Sequence, residues 1–249
     1  MVARVELDIY LNALLETARF QDYGPNGLQV EGKAEVHKIV SGVTASLALI
    51  DAAIDAEADA VLVHHGLFWK SQDGRLTGWM KQRVERLLRH QVNLFAFHLP
   101  LDAHPLYGNN AQFGNRLGVS ADAYFGNQNL GCMGSLSEPL SLQALSAMLQ
   151  SQLRRVPTLA PGDGRPLRRL AWCTGGAQGY FEAAISSGAD VFITGEISEP
   201  QAHLAAETGV AFIACGHHAS ERFGAPALAQ HLADKFGLEH QFIEIANPA

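Results

Sequence analysis

The sequence predicts an α/β protein made of two related three-layer α/β lobes that arose by internal duplication, with a cleft between them. Three observations predict this. Short apolar runs of strand length alternate with amphipathic helical stretches, the pattern of a largely parallel sheet flanked by helices. The alternation occurs twice along the chain. The second pass also repeats the first without a gap: Asp51, Ala52, Ala53 and Ile54, followed by Ala58 and Asp59, match Glu182, Ala183, Ala184 and Ile185, followed by Ala189 and Asp190.

The elements follow in order. Val5, Leu7, Leu11, Leu14 and Leu15 fall at near-helical spacing and predict a helix over 5–19, which Gly24, Pro25 and Gly27 bring to an end. HKIVSGVTA reads as a buried strand, LALIDAAIDAEA as a helix and DAVLVHH as a second strand. A basic helical stretch around Met80–His90 leads to the strand VNLFAFH. The pattern then recurs as the strand RRLAWC, the turn GGAQG, the helix YFEAAISSG and the strand DVFITGE. HLAAETG is helical, VAFIACG is a strand that loosely matches VNLFAFH, HHASERFGAPALAQHLADKF is one helix, and HQFIEI closes as a strand. Gly, Asn and Ser cluster in FGNQNLGCMGS, which places the join there and the lobes at 1–126 and 127–249. Residues 127–168 are the least repeat-like and hold PTLAPGDGRP, expected as an exposed loop.

Composition narrows the function. The chain has 249 residues, 47% hydrophobic and 17% charged, which suits a globular protein with a sizeable core. A net charge of -7 and no basic run denser than Arg165, Arg168 and Arg169 argue against a nucleic-acid polymer as partner. Cys132, Cys173 and Cys215 form no CxxC pair, so neither a disulfide framework nor a thiolate zinc site is indicated. MVARVELDIYLNALL carries acids among its apolar residues and does not read as a secretory signal, and no apolar run approaches ~20 residues. A cytoplasmic protein with no membrane partner is the expectation. No G-x-S-x-G elbow, G-x-G-x-x-G or P-loop is present.

The chemistry gathers at strand ends, which face the ligand crevice in open α/β sheets. His64 and His65 end DAVLVHH. His98 ends VNLFAFH, with Asp102 four residues on. Glu196 ends DVFITGE, and His217 follows VAFIACG with Glu221 at i+4. Taken singly, each histidine is more often a hydrogen-bonded residue than a ligand; several donors at matching strand ends shift the odds. Imidazole with carboxylate suits zinc, manganese, iron or nickel. Five donors, His64, His65, Asp102, His217 and Glu221, exceed what one catalytic ion takes, so two divalent ions are expected in a metal site in the cleft between the lobes, with Asp102 as the bridge.

Other polar residues are expected to be structural. His37, His90, His231 and His240 are assigned no role, His104 could stand behind the ligands but is read as structural, His203 is left open between the two, and His218 is expected to point away from His217. Asp59 and Asp190 are expected to terminate the helices before their strands, and Cys173 and Cys215 to be buried and inert. The loop from Thr174 to Gly179 could cradle an anion or be a tight turn. Asn26 and Gln29 could contact substrate or simply shape a turn.

On DYGPNGLQVEG, KIVSGVTAS, ADAVLVHHGLFWK, HLPLDAHPLYGNNAQ, AWCTGGAQ, GADVFITGEISE, GHHASERFG and the terminal NPA, the chain resembles the GTP cyclohydrolase 1 type 2 family. These proteins are also described as NGG-interacting factor-three-like, and the resemblance is to the bacterial YbgI-type branch. The resemblance implies metal ligands at His64, His65, Asp102, His217 and Glu221. It implies a toroidal homohexamer, a trimer of dimers, with metal sites facing an internal cavity. It also implies that the domain inserted between the lobes of longer relatives is lacking here. The leading expectation is a metal-dependent hydrolase acting on a nucleotide-like substrate, with GTP as candidate. A metal-generated hydroxide would attack C8 of guanine, and Glu196 or His98 would shuttle protons. The alternative is a non-enzymatic transition-metal-binding protein or ring scaffold.

Overall fold

The structure is a computed structural model that describes all residues 1–249. β1 (Val2–Ala3) leads directly into α1 (Arg4–Leu14), which buries Leu7 and Leu11. β2 (Gly27–Val30) follows the glycine-proline break, and β3 (Glu35–Val36) pairs antiparallel with β1. Then come β4 (Lys38–Thr44), α2 (Leu47–Asp55), β5 (Ala60–His65), α3 (Gly78–Arg89) and β6 (Asn93–Ala96). The three strands are parallel in the order β4-β5-β6, as helical crossovers require. Ser46 starts α2 by accepting Leu49 N–H at 3.2 Å, the role that gives serine its preference at helix starts. The short α4 (Leu99–Ala103) has Pro100 in its first turn, where a missing N–H costs nothing.

The chain continues through α5 (Asn109–Arg116), β7 (Ala123–Phe125), β8 (Gly131–Leu140), α6 (Leu142–Leu153) and β9 (Thr158–Ala160). β10 (Leu167–Trp172), α7 (Phe181–Ser186), β11 (Val191–Thr194), α8 (Glu199–Thr208), β12 (Ala211–Ala214) and α9 (His217–Ser220) complete the second alternation. α8 begins with a Ser198/Gln201 capping box and ends at Gly209, whose φ of 76° is the left-handed conformation of a helix stop. α10 (Gly224–Phe236) and β13 (Glu239–Phe242) end the chain.

Two compact units result, residues 1–108 with 224–246 and residues 109–223 with 247–249. The five-stranded sheet of unit 1 has the order β13-β4-β5-β6-β2, and the six-stranded sheet of unit 2 has the order β7-β8-β10-β11-β12-β9. The division at residue 126 is therefore corrected at both ends. α10 buries Leu228, Ala229 and Leu232 in a core with Leu7, Leu11, Ile39, Leu62 and Phe95, and β13 pairs parallel with β4. Helical periodicity marks that α10 has an apolar face, not which sheet the face covers. At the other end, α5 belongs to unit 2, where Phe113 and Leu117 pack with Trp172, Leu145 and Leu149.

Each unit is layered. In unit 1 the opposite sheet face packs Val40, Val61 and Val63 against Leu49, Ile50 and Leu87 of α2 and α3. In unit 2, Leu170, Val191 and Ile213 face the α6 side. On the opposite pleat Phe192 contacts Phe212 and Phe181 edge-to-face or stacked, with centroids 5.7 and 6.1 Å away. Both sheets carry three parallel strands joined by helical crossovers, β4-β5-β6 and β10-β11-β12, each set bounded by an antiparallel strand that precedes it in sequence, β2 against β6 and β9 against β12. Asp59 and Asp190 also correspond. Asp59 accepts His37 and Lys38 N–H, Asp190 accepts Arg168 and Arg169 N–H, and so each ties down the start of a neighbouring strand rather than ending a helix. This is the arrangement a duplication produces.

Three further expectations change. α1 ends at Leu14 rather than residue 19. His98 lies beyond β6, just before α4. The single helix over 217–236 is two, separated by residues 221–223. No helix is long and apolar enough to cross a membrane.

Candidate metal centre

In unit 1, β5 carries His64 and His65 to its end. His64 is fully buried, and its Nδ1–H donates to Phe97 O at 3.0 Å. A carbonyl only accepts, so that bond puts the proton on Nδ1 and the lone pair on Nε2. Nε2 lies 3.5 Å from Oδ1 of Asp102, which the first turn of α4 holds in place between buried Leu99 and Leu101. That spacing is too long for a strong hydrogen bond. It matches the ~3.4 Å edge between two donors bound ~2.1 Å from one ion.

His65 is hydrogen-bonded through Nδ1 to Thr44 Oγ1 at 3.1 Å, across the β4-β5 pairing. Although neighbours on a strand point to opposite faces, β5 ends here and the two rings lie 4.5 Å apart. His98 joins them, at 5.0 Å from the His64 ring, and ligating atoms of the three histidines fall within 4.8 Å of one another.

Asp22 was not singled out in the sequence, yet it organises this corner. Its buried carboxylate accepts His98 Nδ1–H at 2.6 Å, Tyr23 N–H at 2.6 Å, Leu99 N–H at 2.9 Å and Asn26 Nδ2–H at 2.9 Å. Burial raises its pKa, but the bond and charge of His98, with Asn26 and Tyr23, lower it further, to about 2. Asn26 also accepts His98 N–H, and the Gln29 amide is spent on Leu67 N–H and Pro25 O. Both are turn-shaping residues, the blander of the two expectations. A small cleft beside the histidines is lined by Pro25, Gly66, Phe68 and Trp69, with Trp69 edge-on to His98 at 5.1 Å.

In unit 2, His217 opens α9 after Gly216, whose φ is 98°. Its Nδ1–H donates to Glu196 Oε1 at 2.6 Å, and its Nε2 lies 3.2 Å from Oε2 of Glu221, a buried carboxylate. Desolvation alone would lower the His217 pKa; the bonds and charges of Glu221 and then Glu196 raise it to about 9. The i, i+4 pairing survives although Glu221 only caps a four-residue helix, because one turn is enough to align the two side chains.

The Thr174–Gly179 loop is the floor under this pair. Gly175 has φ +74°, and a Cβ there would collide with Glu221 Oε1 and lie 3.3 Å from His217 Nε2. Thr174 N–H donates to Asn110 Oδ1, Gly175 N–H to Ser220 Oγ and Ala177 N–H to Thr194 Oγ1. With those amides engaged, the anion-cradle reading gives way to the packed turn. Asn110, which also accepts Trp172 Nε1–H on its carbonyl, was not anticipated either.

Several other histidines have local partners. His231 bonds Tyr10 and Tyr107 hydroxyls, His240 bonds Ser41 and Gln230, and His104 accepts two backbone N–H groups in its own turn. His203 is exposed, 3.8 Å from Glu199, and stands behind no ligand. The three cysteines are buried and form no disulfide, and burial pushes Cys215 up to about 12.

Fold and site define an α/β protein whose strand ends present buried imidazole and carboxylate groups able to hold a metal ion. The chain belongs to the Duf34/NIF3 (NGG1p interacting factor 3) family, which it matches over residues 2–248. It is 52% identical over 249 residues to a GTP cyclohydrolase 1 type 2 homolog of Neisseria meningitidis serogroup A, covering 100% of both chains. It is 49% identical over 247 residues to the protein so named in Pseudomonas aeruginosa, covering 98% of this chain and 96% of that one. The fold of the protein ybgI, described as of unknown function, superposes with a TM-score of 0.96 at 44% identity over the whole of both chains. A Thermus thermophilus protein follows with a TM-score of 0.92 at 34% identity, again over the whole of both chains.

Proposed function

We propose that His64, His65, Asp102, His217 and Glu221 bind two divalent transition-metal ions, and that the protein is a hydrolase acting on a nucleotide-like substrate. One observation carries the metal reading: His64 and His217 each have Nδ1 tied to an oxygen acceptor while Nε2 meets a buried carboxylate, at 3.5 and 3.2 Å. This is the orientation an imidazole needs in order to ligate. The donor chemistry fits zinc, manganese, iron or nickel and lacks the thiolates of a structural zinc site. Bound there, such ions would supply a water activated near neutral pH.

The chain's own residues do the rest. Phe97 O and Glu196 fix the tautomers of His64 and His217. Glu196, expected as a proton carrier, thus acts on this reading as the residue that orients His217; its second oxygen meets Gln178 Nε2 at 3.3 Å. The names of the relatives make GTP the first substrate to try. A homohexamer is part of the same proposal, supported by family membership, and sedimentation at six times the chain mass is its test.

Protein purified without chelator should carry about two ions per chain by elemental analysis, and metal-loaded protein should turn over GTP or another nucleotide in a panel. Asp102→Ala should lose metal that His104→Ala keeps; equal and undiminished metal in both would remove Asp102 from the site. A second reading, a non-enzymatic metal-binding protein, is favoured by the loops: Asn26, Gln29 and the amides of Thr174, Gly175 and Ala177 are all engaged internally. Rapid metal exchange with no turnover on any nucleotide would decide for it.

A further inference from the structure

We propose, on the reading that the protein acts on a nucleotide-like substrate, that Tyr23 and Trp69 form an aromatic rim that binds the substrate's planar heteroaromatic ring. The base, and not only a phosphate, is then what the chain's own side chains recognise.

Two turns of unit 1 are fastened together beside the histidine cluster. Lys70 N–H donates to Tyr23 O at 2.7 Å. Gln29 accepts Leu67 N–H at 2.8 Å and donates to Pro25 O at 2.8 Å, so one amide bridges the same two segments. Two glycines permit the approach. A Cβ on Gly24 would collide with Phe68 O and lie 3.5 Å from the Trp69 ring, and one on Gly66 would collide with Gln29 Oε1. Tyr23 N–H is also held, by Asp22 Oδ1 at 2.6 Å. The backbone that carries both rings is thus fixed, and each ring has only two χ angles left to lose on binding.

Packing alone does not account for these rings. Tyr23 is 65% exposed although its N–H and its carbonyl are both pinned, and Trp69 is only partly buried. Neither the Tyr23 hydroxyl nor the Trp69 indole N–H bonds another residue, whereas buried Trp172 donates its indole N–H to Asn110 O. Both rings stand at His98, Trp69 edge-on at 5.1 Å and Tyr23 at 6.2 Å, and Trp69 lies 6.0 Å from His65. Trp69 also walls the small cleft that reaches His64. An exposed aromatic on a pinned turn gains little from the core. An apolar face with an unspent polar edge is what stacks on a base and hydrogen-bonds its rim. The neighbouring amides of Asn26 and Gln29 are engaged within their own turns, which leaves the rings as the recognising groups.

The test uses the zinc-loaded full chain. Its three tryptophans are Trp69, Trp79 and Trp172. Trp172 is buried and Trp79→Phe removes the exposed Trp79, so Trp69 reports on the rim. In that chain GTP and guanosine should quench tryptophan emission and inorganic triphosphate should not. If GTP does not bind, the tightest-binding nucleotide of the panel takes its place. By calorimetry Trp79→Phe should leave GTP affinity as it is in the parent. Trp69→Leu should weaken it by about 5- to 150-fold, the range for one stacked base, and leave inorganic triphosphate unaffected. Tyr23→Ala should weaken it by about 2- to 10-fold, and Tyr23→Phe should restore it. Tyr23 is exposed, so this pair reads the rim even if circular dichroism shows that Trp69→Leu does not fold. Equal nucleotide affinity in the parent, Trp69→Leu and Tyr23→Ala chains, or an equal loss for inorganic triphosphate, overturns the proposal and leaves the nucleotide reading standing. No binding of any nucleotide by the parent overturns that reading; this proposal falls with it and the metal reading does not.

Discussion

At Gly175 the chain has no freedom to change. A methyl group there would meet Glu221 Oε1, and the φ of +74° is one that only glycine adopts without strain. Gly175→Ala should cost about 1–3 kcal/mol in urea unfolding. It should also lower bound metal by elemental analysis, because Glu221 must move to admit the methyl. Asp22 offers a pH test. Its folded pKa of about 2 lies below the unfolded value of 3.8, so its contribution to stability is present above pH ~4 and is lost as pH falls toward 2. Asp22→Asn should therefore be less stable than the parent by about 2–3 kcal/mol near neutrality, the scale of hydrogen bonds to a buried charge. The difference should shrink between pH 4 and 2 in thermal unfolding followed across that range; a constant difference would mean the carboxylate charge is not what matters.

Elements meet through single polar residues. Asn110, at the start of α5, accepts the Thr174 amide after β10 and the Trp172 indole within it, so one side chain and its carbonyl register a helix against the loop beneath His217. Asn110→Ala leaves a buried amide donor unmet and should cost about 1–3 kcal/mol, measured by chemical denaturation. Asp59 and Asp190 work in the same way on the starts of β4 and β10. The repeated helix and strand were readable because an apolar period of 2 or 3.6 spans many residues. Short elements have too few residues to show a period, and so β7 and β9, of three residues each, went unseen.

For the whole molecule, the consequential feature is the return of the chain to unit 1. Leu228 and Leu232 are fully buried in its core. Leu228→Ala should therefore cost about 2–5 kcal/mol, the usual toll of a large-to-small change in a core. A fragment ending at residue 126 should lack native circular dichroism, since it leaves one face of its sheet bare and β4 unpaired at its edge. Residues 1–108 joined by a linker to 224–246 should fold. Native spectra from the first fragment would contradict the division of the molecule described above.

The sequence by itself determined the fold class, the repeated alternation and the imidazole and carboxylate residues at strand ends, because these follow from local periodicity and from chain direction in a parallel sheet. His64, His65, Asp102, His217 and Glu221 were legible as candidates for that reason. Only the tertiary structure decided that α10 and β13 belong with the first unit. It also decided that Asp22 and Glu196 stand behind His98 and His217, and that Asn26 and Gln29 serve their own turn. Those outcomes depend on partners as far as 76 residues away for Asp22 and His98, and on a helix whose apolar face could have covered either sheet. Such pairings are settled by packing and by the need to satisfy buried polar groups, and neither leaves a mark on residue spacing.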